Sequence, residues 1–362
     1  MQQDAIFMAR AIQLARLGRY TTDPNPRVGC VLVKDAQIIA EGWHARAGQG
    51  HAEVVALQQI ETAQGATAYV TLEPCSHFGK TPPCCDALIA AGVARVVVAM
   101  QDPNPLVAGA GLKKLQAAGI TVDVGLMQCD AEQLNRGFIK RMRTGLPFVC
   151  TKLAMSLDGR TAMASGESKW ITSSQAREDV QRLRAASSAI LTGINTVLSD
   201  DPALNARVDF PVTQPVRVVL DSRLAMPVHA KMAALPGRSL ILTGSIDQVK
   251  IKALQAVGFE VHTLPLKNAR LDLTAVLVFL GQQQINDVLV EAGATLNGAL
   301  LAEGLLDEGV VYMAPSIMGD AGRGLFSMPQ LQRMLDKKNV QWQDVRRVGA
   351  DLRLTITFQG SS

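Results

Sequence analysis

Residues 67–100 read Thr-Ala-Tyr-Val-Thr-Leu-Glu-Pro-Cys-Ser-His-Phe-Gly-Lys-Thr-Pro-Pro-Cys-Cys-Asp-Ala-Leu-Ile-Ala-Ala-Gly-Val-Ala-Arg-Val-Val-Val-Ala-Met. A β-branched and aromatic run at 67–72 predicts a strand, 84–91 predicts a helix closed by Gly92, and Val96-Val97-Val98 predicts a second strand at 95–100. Strand, helix and strand in that order belong to an α/β layout, and the scarcity of polar alternation predicts strands covered by helices on both faces. Outward from this unit the same alternation continues. Helices are expected at 2–18, from about Ala52, at 109–118 and at 130–143, with strands at 28–33, 37–43 and 121–124. The turn Thr144-Gly145-Leu146-Pro147 closes a basic helix end and divides the chain into residues 1–145 and 146–362.

The second part repeats the α/β pattern. Strands are expected near 148–155, 188–192, 216–220, 239–243, 259–263, 286–290, 308–314, 342–348 and 352–358, the last two as a hairpin through Gly349-Ala350-Asp351. Helices are expected near 174–186, 247–257, 272–283 and 294–304. A length of 362 residues exceeds what one core usually organises, which agrees with two domains. Apolar residues at 48% and charged residues at 19% exclude a disordered or coiled-coil chain.

The net charge of +4 is shared evenly by the two parts, so neither carries the basic concentration of a nucleic-acid binder, and small-molecule chemistry is favoured. Six cysteines, two of them adjacent at Cys84–Cys85, are too few and too poorly spaced for a disulfide scaffold. The amino terminus reads as an amphipathic helix rather than a secretion signal, and no apolar run could span a bilayer. A cytoplasmic protein with no membrane association is therefore expected.

The chemistry-bearing residues begin at His51-Ala52-Glu53, with Pro74-Cys75 22 positions after Glu53 and Cys84 after eight more intervening residues. One imidazole and two thiolates can hold a zinc ion and leave a fourth position for water, whose pKa falls from about 15.7 towards about 7 on binding. Glu53, two residues from the histidine, is placed to carry that water's proton to the ring nitrogen and the leaving amine. His51, Glu53 and Cys84 all fall at predicted helix starts, whose partial positive charge favours thiolate over thiol. The alternative is a closed structural site, with Cys85 or His77 as a fourth ligand and no task for Glu53. Cys85 also competes with Cys84 as the second thiolate, whereas Cys30, Cys129 and Cys150 read as core residues.

The stretches Asp23-Pro24-Asn25-Pro26-Arg27-Val28-Gly29, His51-Ala52-Glu53, Leu72-Glu73-Pro74-Cys75-Ser76-His77 and Gly79-Lys80-Thr81-Pro82-Pro83-Cys84 resemble the deaminase half of the bifunctional riboflavin-biosynthesis pyrimidine deaminase/reductase family. The eight residues between Cys75 and Cys84 suit that branch better than the shorter Pro-Cys-x-x-Cys form. The resemblance implies a cytidine-deaminase-like three-layer α/β/α domain. Asn25, His44, His77 and Lys80 would line its substrate pocket, the cationic ones near a ribose phosphate. A tRNA or cytidine deaminase is the runner-up for this half alone.

The second part shows Thr151-Lys152-Leu153-Ala154-Met155-Ser156-Leu157-Asp158-Gly159, Ser165 to Ile171, Thr192 to Leu198, Asp200-Asp201-Pro202, Asp221-Ser222-Arg223 and Val290-Glu291-Ala292-Gly293-Ala294. By themselves these offer a glycine between strand and helix that suits a phosphate, without the G-x-G-x-x-G fingerprint. They resemble the reductase half of the same family, which implies a dihydrofolate-reductase-like α/β fold using NADPH. The resemblance places cofactor contacts on Ala154, Trp170, Thr196, Asp200, Ser222, Gly293, Ala294, Thr295, Leu296, Asn297, Gly298 and Ala299. Substrate contacts fall on Lys152, Ser168, Arg184, Leu204, Arg207 and Glu291, with Lys152, Asp200 and Glu291 as candidate proton donors. A homo-oligomer formed through the reductase domain and a phosphorylated pyrimidine nucleotide-like substrate are expected. Two rivals, a nucleic-acid-editing deaminase and a zinc-stabilised binding module without catalysis, sit poorly with 4% aromatics and with the intact Glu53 respectively.

Overall fold

A computed structural model describes residues 2–76, 83–105 and 107–358. The chain forms two compact units, Met1–Leu146 and Pro147–Ser362.

The first unit contains α1 (Gln2–Leu17), β1 (Gly29–Lys34), β2 (Gln37–Trp43), α2 (Ala52–Leu57), β3 (Thr67–Val70), α3 (Cys84–Ala90), β4 (Arg95–Val98), α4 (Ala110–Ala117), β5 (Thr121–Val124), α5 (Gln128–Leu134) and α6 (Arg136–Thr144). The sheet order is β2-β1-β3-β4-β5, with β1 antiparallel to both neighbours and β3, β4 and β5 parallel. Alternate side chains divide the core. Val31, Val33, Tyr69 and Val97 pack against α1, α5 and α6, while Leu32, Ala68, Val70, Val96 and Val98 pack against α2, α3 and α4. This is the three-layer α/β/α arrangement expected from the unbroken apolar strands.

Glycine in the strands sets how closely the helices approach. A Cβ at Gly29 would lie 2.0 Å from the Ala11 carbonyl, and one at Gly42 would lie 2.2 Å from the Ala52 carbonyl. The second of these contacts seats α2, and with it His51 and Glu53, tightly on the sheet. The helix expected at 130–143 is instead two helices that meet at Asn135. There the Asn135 side chain accepts the Arg27 N–H at 2.8 Å and donates to the Arg27 carbonyl at 2.9 Å, a long-range pairing that local periodicity does not reveal. Cys129 is exposed rather than part of the core, because it lies on the solvent side of α5, whereas Cys30 and Cys150 are buried as expected.

The second unit contains β6 (Phe148–Ser156), α7 (Ser174–Ala185), β7 (Ala189–Gly193), α8 (Ile194–Asp200), β8 (Val216–Leu220), β9 (Ser239–Thr243), α9 (Gln248–Ala256) and β10 (Glu260–Thr263). It continues with β11 (Leu266–Lys267), β12 (Arg270–Leu271), α10 (Leu273–Gln282), β13 (Asp287–Val290), α11 (Ala294–Ala302), β14 (Glu308–Ala314), β15 (Val340–Val348) and β16 (Asp351–Phe358). Nine strands lie in the order β10-β9-β8-β7-β13-β6-β14-β16-β15. The seven strands β10-β9-β8-β7-β13-β6-β14 run parallel, and β16 and β15 close one edge as the expected antiparallel hairpin. Ser173 caps α7 by accepting the Ala176 N–H, and Asp247 and Asp272 cap α9 and α10 in the same way. The seven-residue α8 and the small β11–β12 hairpin were not expected, since both are too short to carry a periodic signal.

Two consecutive strands in sequence, β7 and β6, are separated in space by β13, which returns late in the chain to lie between them. The loops at the carboxyl ends of β6, β7 and β13 therefore converge where the order reverses, the usual place for a ligand crevice in an open α/β sheet.

Candidate functional site

In the first unit, α2 follows directly after His51 and α3 begins at Cys84, while Cys75 lies in the segment that follows β3. His51 Nδ1 lies 3.2 Å from Cys84 Sγ and 3.5 Å from Cys75 Sγ, and the three ligand atoms all fall within 4.8 Å of one another. Tetrahedral zinc with Zn–N near 2.0 Å and Zn–S near 2.3 Å separates such donors by about 3.5–3.8 Å, so the donor set fits that ion in both chemistry and spacing. Among the described residues, this is the one group of three or more His, Cys, Asp or Glu whose donor atoms converge in this way.

The cluster's electrostatics favour thiolate at Cys75. The Cys84 N–H points at Cys75 Sγ at 3.3 Å. A hydrogen bond from the Cys84 thiol, aided by His51, brings Cys75 down to about 4, and the same shared proton pushes Cys84 up. His51 is raised, chiefly by its hydrogen bond to Cys75. A dication would displace these protons, the usual coupling of metal binding to proton release. Glu53 is 3% exposed, and burial raises its carboxyl to about 7. It sits beside the sulfurs, ready to hold or release a proton near neutrality.

Cys85 does not compete for the metal. It turns away, its thiol donating to the Pro74 carbonyl at 3.2 Å and the Gly111 carbonyl at 3.6 Å, and burial pushes it up to about 12. His77 and Lys80 lie outside the described residues. Asn25 and His44 do come together next to the cluster. His44 Nδ1–H donates to the Gly50 carbonyl at 3.0 Å, the Asn25 amide donates to His44 Nε2 at 3.1 Å, and the His44 ring meets His51 edge-on at 5.5 Å. Burial lowers the His44 pKa. A carbonyl on one nitrogen and an amide N–H on the other suit a neutral imidazole, in line with the lowered pKa.

In the second unit, Glu291 follows the end of β13 and is gripped by Arg184 of α7 through two parallel bonds, Nε–Oε1 at 2.6 Å and Nη2–Oε2 at 2.9 Å. Lys152 of β6 approaches the same carboxylate at 3.5 Å. Burial alone would raise Glu291; the charges of Lys152 and Arg184 and their hydrogen bonds overcome that and bring it to about 2. Arg184 also donates to the Asn205 carbonyl, and Arg207 donates to the Asn205 side chain, both at 3.2 Å, which adds the 204–207 loop to the cluster. Within it Leu204 is buried, with φ at +43°.

The residues that the resemblance assigned to cofactor are more spread out. Trp170 is 73% exposed and therefore no core residue; Arg177 stacks over its ring at 4.6 Å. Its neighbour Lys169 pairs with Asp200 at 3.3 Å, bringing the exposed 165–170 segment, Ser168 included, to the end of the helix that carries Thr196. Ala154 lies half-buried on β6. Ser222, after β8, accepts the Leu271 N–H at 3.1 Å and so anchors the β11–β12 hairpin.

After Gly293 the chain turns straight into α11. Gly293 has φ −76° and ψ 175°, so neither it nor Ala294 needs a left-handed backbone, and alanine is accommodated. Asn297 and Gly298 do not offer side-chain contacts to a ligand. Asn297 is fully buried, accepting the Thr151 hydroxyl at 2.6 Å and donating to the Ala292 carbonyl at 2.8 Å, and a Cβ at Gly298 would meet the Ser327 carbonyl at 2.2 Å. The more open positions of this turn are Gly293 and Thr295, with Ala294, Leu296 and Ala299 half-buried.

Sequence reasoning gave Glu73 no task of its own. It is 5% exposed and accepts backbone N–H groups from Asp102, Gly109, Gly111 and Leu112 at 2.9–3.4 Å. Its position within Leu72-Glu73-Pro74-Cys75 was the available signal.

Comparison with known proteins agrees with this division. Residues 1–100 match the family described as the cytidine and deoxycytidylate deaminase zinc-binding region, and residues 147–354 match the RibD C-terminal domain. The riboflavin biosynthesis protein RibD of Escherichia coli is 54% identical over 98% of this chain and 99% of its own length, and that of Haemophilus influenzae is 50% identical over 99% and 98%. The solved structure of Acinetobacter baumannii RibD, 48% identical, superposes with a TM-score of 0.93 over 99% of both chains. A Thermotoga maritima diaminohydroxyphosphoribosylaminopyrimidine deaminase/5-amino-6-(5-phosphoribosylamino)uracil reductase, 33% identical, gives 0.86 over 99% of both. With a zinc-binding deaminase unit followed by a reductase unit, the chain belongs to the RibD family of bifunctional riboflavin-biosynthesis deaminase/reductases.

Proposed function

We propose that the first unit deaminates 2,5-diamino-6-(5-phosphoribosylamino)pyrimidin-4(3H)-one, and that the second uses NADPH to reduce the ribosyl group of the resulting 5-amino-6-(5-phosphoribosylamino)uracil to ribityl. The observation that carries this reading is the convergence of His51, Cys75 and Cys84 beside a buried Glu53. His51, Cys75 and Cys84 would hold zinc, which supplies the Lewis acidity that makes water nucleophilic at neutral pH. Glu53 takes one proton of the attacking water on its carboxylate and passes it to the ring nitrogen, then carries the second proton of that oxygen to the departing amine as the carbonyl forms and ammonia leaves. Neutral His44 holds the Asn25 amide by its N–H group, which directs the Asn25 carbonyl oxygen elsewhere, towards a substrate donor.

In the second unit Arg207, together with Arg184, binds the substrate phosphate, for which guanidinium offers paired donors and a permanent charge. Glu291 holds Arg184 and Lys152 in place. Because Glu291 stays ionised, Lys152 rather than Glu291 is the group we assign to protonating the new alkoxide. Trp170, Thr196, Asp200, Ser222 and the more open positions of the turn, Gly293 and Thr295 with Ala294, Leu296 and Ala299, would contact NADPH, whose hydride is the reductant, and the crevice would orient it against the open-chain carbonyl and exclude water.

No helix among the described residues is long and apolar enough to cross a membrane, and we place the enzyme in the cytoplasm as a homo-oligomer associated through its reductase units. The test is to supply purified protein with the diamino pyrimidine nucleotide and NADPH. Ammonia release followed by loss of NADPH absorbance supports the reading; ammonia without NADPH oxidation removes the assignment of the second unit.

A further inference from the structure

The adjacent pair Cys84–Cys85 divides its work. The Cys84 sulfur faces His51, whereas Cys85 is buried with its thiol on the Pro74 and Gly111 carbonyls, at 3.2 and 3.6 Å. The Cys85 backbone N–H also donates to the Cys75 carbonyl at 3.1 Å. The segment that carries the Cys75 ligand is thus held from the α3 side by both the side chain and the main chain of one residue.

Glu73 holds the same segment from the other side. Its carboxylate oxygens accept the N–H groups of Asp102 at 3.1 Å, Gly109 at 3.0 Å, Gly111 at 2.9 Å and Leu112 at 3.4 Å. Three of these groups belong to the N-cap and first turn of α4, so a carboxylate distant in sequence caps that helix. The two clamps meet at Gly111, where a Cβ would lie 2.2 Å from the Pro74 carbonyl and 3.3 Å from Cys85 Sγ. A glycine there lets α4 press directly on the main chain one residue before Cys75.

We propose that Cys85 and Glu73 are positioning residues of the metal site, which together fix the main chain at Pro74 and so place the Cys75 sulfur opposite His51 and Cys84. Neither touches the ion; both act through Cys75. The proposal rests on the reading of His51, Cys75 and Cys84 as zinc ligands, and its test keeps the two apart.

The experiment compares full-length parent, Cys85→Ala, Cys85→Ser and Glu73→Gln proteins by competition for zinc against a chromophoric chelator, and by the absorption of their cobalt(II) forms. Partners that orient metal ligands typically affect affinity 10- to 100-fold. The expected result is zinc binding weakened by about that factor in Cys85→Ala and Glu73→Gln. Cys85→Ser, which keeps a donor for Pro74, should return close to the parent value. The sulfur-to-cobalt band should keep its two-thiolate intensity in Cys85→Ala.

A role confined to folding would lower the melting temperature of the metal-free variants and leave their zinc affinity at the parent value, and that outcome overturns the proposal. So does a drop in the sulfur-to-cobalt band in Cys85→Ala, which would make Cys85 a ligand. If Glu73→Gln does not fold, the two Cys85 variants decide. Failure of the parent itself to bind zinc strikes the metal reading instead, whatever the variants do.

Discussion

Glu53, buried, and Glu291, nearly so, are both glutamates of the candidate sites, yet the protein drives them in opposite directions. Burial raises Glu53 to about 7, because its neighbours are an imidazole and two sulfurs rather than a permanent cation. Glu291 feels the same penalty, but a guanidinium and an ammonium lie against it and bring it to about 2. In the proposed function, one carboxylate would move a proton and the other would stay charged and hold two cations still. The contrast shows that burial alone does not define a role; the fixed charges around the group do.

The largest effect should come from the carboxylate that moves a proton. Glu53→Gln is expected to cut ammonia release by about 10²–10⁴-fold, the usual worth of a positioned acid–base group. Zinc content and the NADPH-dependent step, tested with the deaminated substrate, should be unchanged; normal turnover would remove Glu53 from its role.

Next comes the carboxylate that stays charged. Arg184→Met leaves Glu291 buried with only Lys152 and is expected to cost about 3 kcal/mol of stability at neutral pH in urea melts of the second unit's transition. Glu291's folded pKa lies below its unfolded one, so this pairing contributes fully above the unfolded carboxyl range and fades as pH falls towards about 2. The gap between Arg184→Met and parent should therefore narrow below pH 4, and a gap independent of pH would argue that Glu291 is not ionised.

Arg207→Ala should act on binding, raising KM for the phosphorylated reductase substrate by about 10-fold, the worth of one charge-assisted hydrogen bond, while kcat falls less. An equal fall in kcat with unchanged KM would place Arg207 outside the phosphate contact.

The smallest effect concerns a carboxylate away from both sites. Hydrogen bonds from Arg95 at 2.9 Å and Tyr69 at 2.6 Å bring Asp4 down to about 2 and tie α1 to the sheet. Asp4→Asn should remove a stabilisation that is present above about pH 4 and is otherwise lost between there and about 2. Acid unfolding curves of the two proteins should converge at the low end, and parallel curves would exclude that titration.

The two sites also differed in how far the sequence disclosed them. His51, Glu53, Cys75 and Cys84 were legible because zinc chemistry demands those side chains, and their spacing sets His51, Glu53 and Cys84 on helix starts with Cys75 in the segment after a strand. The crevice of the second unit was not legible from chemistry alone. Lys152, Arg184, Arg207 and Glu291 come from four separate segments, and without a glycine fingerprint only the family resemblance joined them.

Asn297 illustrates the limit of reading positions from a motif, since its side chain is consumed by Thr151 and the Ala292 carbonyl and holds the turn rather than a ligand. Glu73 illustrates another, because its partners are main-chain groups 29 to 39 residues away that no side-chain pattern marks. The break at Asn135 and the exposure of Cys129 follow the same rule: tertiary pairing and helix orientation overrode local propensity.

The central claim is a zinc ion with one imidazole and two thiolate ligands and a remaining position for solvent beside Glu53. X-ray absorption at the zinc edge of the purified protein tests it most directly. We predict two sulfur scatterers near 2.3 Å and two nitrogen or oxygen scatterers near 2.0 Å, one of the latter exchangeable with solvent. A shell of three sulfurs, or four ligands all supplied by side chains, would contradict it.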